Sequence, residues 1–186
     1  MKPEALTKIV RGKLFSSIRC SFLLVLFLYP VVSWAAMVNS PEQGFSADFP
    51  MNPEVTGPAP SEKDNRGKIL SISVTYEAQT ENIVLTVAVD TFTMPTKIDV
   101  GSSLKAERNR FIDDAAASLT SSRVDTFDGY AATYFTFEIR KAKGRGLVVI
   151  QDKPIPKTYI VTGLYTRENG DSVEAVNRFM DSFRLN

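Results

Sequence analysis

Histidine is missing from all 186 residues, and cysteine occurs once, at Cys20. Without imidazole there is no Ser-His-Asp or Cys-His nucleophile, no histidine general base and no zinc or copper site of the ordinary nitrogen-sulfur kind. Charge of one sign is lacking too. The 22 Lys and Arg side chains against 21 Asp and Glu give a formal net charge of +1, so no polyanion partner is indicated. No glycine-rich phosphate loop is present, because Lys143-Gly144-Arg145-Gly146 has neither the glycine spacing nor the Lys-Ser/Thr that should follow.

What is present divides at about residue 35. Lys2, Lys8, Arg11, Lys13 and Arg19 precede an apolar run over residues 21–32, and Ser33-Trp34-Ala35 places small residues at the −3 and −1 positions of a cut before Ala36. This is the pattern of a secretory signal peptide over residues 1–35. The apolar run falls short of the ~20 residues needed to span a bilayer, although an uncleaved anchor is the alternative. Cys20 lies before the run, the wrong place for lipid acylation. The expectation is a periplasmic or secreted protein with a lead-in at 36–43 and a single domain at 44–186. Losing five cations and one anion with the leader takes the charge from +1 to −3. No thiol then remains, so packing alone must hold the fold together.

Phe45, Ala47 and Phe49 alternate with Ser46 and Asp48, a strand stopped by Pro50. Residues 51–68, with Pro53, Pro58 and Pro60, read as a mobile loop. Leu70, Ile72, Val74 and Tyr76 alternate with polar residues, predicting a strand with one wet face. Ile83, Leu85, Val87 and Val89 repeat the pattern across a hairpin turn at 79–82. A helix is predicted over 102–119, interrupted by Glu107 and Arg108, so that its first half should be the less buried. Strands resume from Arg123, turn at Asp128-Gly129, and continue through Phe135, Phe137 and Ile139. Leu147 to Ile150 reads as a central strand, and Tyr159 to Tyr165 as the last one before a closing helix. Asp171 and Glu174 look like a capping box at the start of that helix, read over 171–186, and Val173, Val176, Met180 and Phe183, widened by Phe179, form its apolar face. These elements predict an α+β fold: an antiparallel sheet of six to seven strands flanked by helices.

Chemistry is sparse. Asp113 and Asp114 are adjacent on a helix and so point about 100° apart, which does not make a catalytic pair. Asp125, Asp128 and Gly129 are too few for a calcium loop. The densest polar feature is RKAKGRG, where Arg140, Lys141, Lys143 and Arg145 are candidate contacts to an anion or an acidic partner; a solvated hairpin tip explains them with less. Five tyrosines, Tyr76, Tyr130, Tyr134, Tyr159 and Tyr165, either line a groove or cap the core.

GFSADFPMNPEV at 44–55, FDGYAATYFTFE at 127–138 and RFMDSFRLN at 178–186 resemble, in order and spacing, the PsbP-like family of small exported bacterial domains. Met51-Asn52 replaces the glycine usual in that family after Phe-Pro. The resemblance implies an αβα sandwich around an antiparallel sheet. It also implies a binding or accessory role in the cell envelope, without enzymatic activity or cofactor; a small-ligand or lipid carrier with a tyrosine-lined groove is the alternative. No family site residue matches position by position, so the partner, whether an envelope protein or a small ligand, is left open.

Overall fold

The computed structural model describes residues 36–166 and 170–186; the leader, residues 1–35, lies outside them, as does Asn169. Ten strands and two helices follow in the order β1 (Ala36–Ser40), β2 (Phe45–Phe49), β3 (Glu54–Lys63), β4 (Ile69–Gln79), β5 (Ile83–Phe92), α1 (Val100–Asp114), β6 (Ser118–Phe127), β7 (Tyr130–Ile139), β8 (Ala142–Gln151), β9 (Lys157–Tyr165), α2 (Gly170–Ser182) and β10 (Arg184–Leu185). Seven strands form one antiparallel sheet in the order β3-β4-β5-β9-β8-β7-β6, and β1-β2-β10 form a second, smaller one. The fold is therefore α+β with a seven-stranded antiparallel sheet, as the alternation of apolar residues predicts.

Both faces of the large sheet are covered, each by a different layer. On one face α2 and the small sheet bury Leu85, Val87, Leu147, Val149 and Val161 beneath Phe45, Phe49, Phe179 and Phe183. On the other, Phe135, Phe137, Ile139, Val148 and Ile150 pack beneath Leu104 and Phe111 of α1. Coverage of two faces overturns the wet side expected for β4, where Ser71 and Thr75 are buried. Ser71 is satisfied by the Ser61 hydroxyl of β3, 2.8 Å away.

Two glycines on β8 and one on β9 are required by packing. A Cβ at Gly144 would collide with the outer edge of the Phe137 ring, and one at Gly146 with that of the Phe135 ring. The phenylalanines of β7 thus lie flat across the bare backbone of β8, opposite which they are registered. Gly163 of β9 admits α2 in the same way, since a Cβ there would stand 2.6 Å from Val176 Cγ1.

Four expectations are corrected. Residues 51–68 are not one loop: between irregular ends at 51–53 and 64–68, β3 pairs with β4 at the edge of the sheet, where its prolines need no inward hydrogen bond. The lead-in contains β1, paired with β2 from Ala36↔Phe49 to Ser40↔Phe45. The first helix starts at an Asp99 cap, whose carboxylate accepts from the Ser102 amide at 3.2 Å. It stops at Asp114, five residues earlier than expected, because Ala116 turns left-handed at φ 49° and Ala117 N–H closes back to Ile112 O. Leu104 is its buried side chain, and the rest of its first half is more exposed than its second, as expected. Finally, Asp171 lies inside the first turn of α2, where its charge suits the positive end of the helix, and is not its cap. Among the described residues no helix is long and apolar enough to cross a membrane.

Candidate functional site

Each helix covers only part of its face. α1 lies over β7 and β8, whereas α2 lies over β9 and β5 on the opposite side. Among the described residues, two of the hollows lie diagonally across the sheet.

The first, beside α1, is a cavity of about 90 Å³ lined by Thr75, Thr86 and Thr162 with Val84, Phe111 and Leu164. Next to it Arg110 Nη2 meets Asp90 Oδ2 at 2.9 Å and Glu107 Oε2 at 2.7 Å. This explains Glu107, the residue that interrupts the helical stripe: it turns inward to share one guanidinium with Asp90. Burial lifts the Glu107 carboxyl above the usual carboxylate range, more than Arg110 lowers it, and the negative charge of Asp90 adds to the rise. Burial pulls the Arg110 guanidinium down, but Glu107 and Asp90 together carry it above its ordinary value. Asp90 Oδ1 is buried without a hydrogen-bond partner, so the cluster is only partly satisfied. Among the described residues no three acidic side chains assemble as a metal cage.

The second hollow, on the α2 side over β6, β7 and β8, is an open basin of about 720 Å³. Arg123, Arg145 and Arg184 line it with Ser121, Thr136 and Tyr134, while Phe127 and the edge of Met180 supply apolar surface over the buried Leu147. Asp181 is the one carboxylate of the lining. Each guanidinium is held by weak or neutral partners. Arg123 lies over the Tyr134 ring, 4.7 Å from its centroid, and reaches Asp125 only at 3.8 Å. Arg145 donates to the Asn177 side-chain oxygen, and Arg184 Nη1 donates to the carbonyls of Asp181 and Phe183. Three cations therefore share a concave surface with a single anion.

The four sequence candidates do not act as one group. β7 ends at Ile139 and β8 begins at Ala142, so only Arg140 and Lys141 form the turn, with Arg140 left-handed at φ 55°. Lys143 and Arg145 lie within β8, alternating with the glycines beneath the phenylalanines. Of the four, Arg145 alone lines the basin. Arg123 and Arg184, remote in sequence from it, carried no signal beyond their charge.

Nor do the tyrosines gather in a groove. Tyr159 is buried, and its hydroxyl donates to Gln43 O at 2.9 Å, tying β9 to the β1–β2 turn; burial, with a lesser contribution from Tyr130, pushes it up to about 12. Tyr76 shares a 2.8 Å hydrogen bond with Ser40, and Tyr130 accepts from Gln151 at 3.0 Å. They cap the core and pin the layers, and only Tyr134 borders the basin.

No protein-family model matches the sequence, and no curated protein matches it. The fold is similar to the solution structure of cyanobacterial PsbP (CyanoP) from Synechocystis sp. PCC 6803. The two are 10% identical with a TM-score of 0.56, over 88% of this chain and 99% of that one. The chain has a PsbP-like fold.

Proposed function

We propose that this chain is a non-enzymatic, exported binding or accessory domain of the cell envelope that engages a partner protein along β6. The observation that carries the reading is the contrast between the two edges of the large sheet. β3 is blunted by Pro58, Pro60 and successive register shifts, in the manner of a protected edge. β6 has no proline, pairs with β7 without a shift from Ser121 to Phe127, and leaves Val124 77% exposed. Such an edge suits the addition of an extended segment from a partner, whose backbone would complete the ladder. Export is supported by the leader pattern, a basic stretch and an apolar run ahead of Ser33-Trp34-Ala35. The carrier alternative draws less support. The cavity beside α1, about 90 Å³, is well below the roughly 300–1,000 Å³ of ligand pockets, and among the described residues the larger basin is bordered by only one of the five tyrosines, Tyr134.

A photoreactive residue at position 124 should give one discrete crosslinked species in envelopes of the native host, and the same residue at Val55 of β3 should not. Equal adducts from both edges, or none from position 124, would overturn the reading.

A further inference from the structure

The basin over β6, β7 and β8 has a chemistry that edge pairing leaves unused. Arg123, Arg145 and Arg184 against Asp181 give its lining a formal charge of +2. Guanidinium forks match phosphate oxygens in pairs, and each has five N–H donors, so the contacts to Asn177 Oδ1 and to the Asp181 and Phe183 carbonyls leave donors over. Ser121 and Thr136 bring hydroxyls to the same surface, joined to each other at 2.7 Å. Beside them the half-buried Phe127 and the edge of Met180 offer an apolar bed, over the buried Leu147, that a bare inorganic ion would not use. The hollow, about 720 Å³ and open to solvent, is much larger than one phosphate.

We propose that this basin is a binding site for an organophosphate, a dianionic phosphate group held by the three arginines on an apolar body that rests against Phe127 and the edge of Met180. The charge matches a phosphate monoester, and the paired polar and apolar surfaces match an amphiphile. The same chemistry is offered by a free phosphate monoester and by the headgroup of a phosphatidic-acid-type lipid. The site adds a ligand to the binding role above, on the α2 face and not on the backbone edge of β6.

The test is titration of the isotopically labelled protein with hexyl phosphate, followed by the arginine side-chain N–H resonances. Saturable shifts at Arg123, Arg145 and Arg184 are expected, with a Kd of about 1 mM or below and binding at least ~tenfold weaker for inorganic phosphate, which lacks the apolar body. Arg145→Ser should weaken hexyl phosphate at least ~tenfold, the usual worth of a hydrogen bond to a charged group. A hairpin-tip variant with Arg140→Ser and Lys141→Ser should bind as the wild type does. Binding to phosphatidylcholine vesicles only when phosphatidic acid is included, and its loss in Arg145→Ser, would support the site with a lipid source. Hexyl phosphate binding without vesicle binding would support it with a free ligand. No saturable shift in the wild type, equal affinity for inorganic phosphate, or dependence on Arg140 and Lys141 in place of Arg145 would overturn it. The wild-type shifts do not depend on any variant folding. Loss of this binding with the position-124 adduct intact would overturn the site alone, and the converse would overturn the partner reading alone.

Discussion

Phe183→Ala is the substitution that most directly tests what holds this fold together. Phe183 stands between the last turn of α2 and β10, and its side chain is 0% exposed. Its ring faces those of Phe127 at 5.4 Å, Phe45 at 5.8 Å and Tyr159 at 6.1 Å, so strands from both sheets meet on it. Truncating a buried phenylalanine costs about 3–5 kcal/mol, and the spread depends on how far the site can collapse. Here collapse is restricted. β2 is paired on both sides by β1 and β10, while β6 and β9 belong to the seven-stranded ladder, and Ser182 and Leu185 on either side of Phe183 are hydrogen-bonded to Asp48 N and Asp128 Oδ2. The upper part of the range, about 4–5 kcal/mol, is expected, and the lost edge-to-face and stacked ring contacts are part of it. For a domain of this size that corresponds to a fall in Tm of roughly 8–20 °C. Urea unfolding followed by far-ultraviolet circular dichroism measures it directly, with the slope against urea unchanged if the transition stays cooperative. Phe183→Leu should fall between variant and wild type. A loss below about 2 kcal/mol for the alanine variant would mean that the two layers are joined elsewhere, and the account of the core would fail.

Gly163→Ala should cost about 1–3 kcal/mol by overpacking, since the new methyl would stand 2.6 Å from Val176 Cγ1. Adding Val176→Ala should recover part of it, and strict additivity in the double-mutant cycle would show that the two residues do not compete for space. Ala116→Gly should raise stability by about 0.5–1 kcal/mol, because φ is 49° there and glycine adopts that conformation without steric penalty; an unchanged or lower urea midpoint would count against the described helix end. For Glu107 burial lifts the folded carboxyl above its ordinary value of 4.5. As pH rises past 4.5 the native state therefore keeps a proton that the unfolded chain releases, and the penalty for ionising Glu107 is absent below that value and complete above the raised one. Glu107→Gln should gain on the wild type as pH rises through that window and match or exceed its stability at pH 7. A variant less stable by a constant amount from pH 4 to 8 would show that the pairing with Arg110 outweighs burial.

Where the chain is buried on at least one face, its sequence already describes it. β2, β5 and β7 carry a period of two because one side of each strand meets a core and the other meets a different layer. β8 reads as continuous apolar residues because both sides do. α2 shows its period of 3.6 for the same reason, with Val176, Phe179 and Met180 inward. The illegible elements are those that burial does not pattern. β3 is exposed along all ten residues and β6 along nearly all of them, so neither carries an alternation to read, and the prolines of β3 argue for a loop unless its place at the edge is known. The end of α1 was hidden because alanine occupies the left-handed position that glycine or asparagine would have marked.

The basin illustrates a stronger limit, since its three arginines come from β6, β8 and the chain after α2, and no window of sequence contains two of them. Even so, the orientation of Arg145 follows from local packing. Gly144 and Gly146 must lie under Phe137 and Phe135, which commits the even positions at the start of β8 to the α1 face. The odd positions, Lys143 and Arg145, are thereby committed to the opposite face. A shift of one residue in the register of β8 would press two cations against the phenylalanines and turn the glycines outward, so the alternation that seats the aromatic rings also keeps the cations out of the core. The segment is thus neither a solvated tip nor a single basic patch. Its first two residues make the turn, its glycines serve one core, and its last cation is delivered to the wall of the basin. Replacing Gly146 by alanine should then disturb Arg145 as well as Phe135, although the two side chains lie on opposite faces of the sheet. Wild-type hexyl phosphate affinity in a Gly146→Ala protein with a lowered melting temperature would show that the packing and the basin are independent.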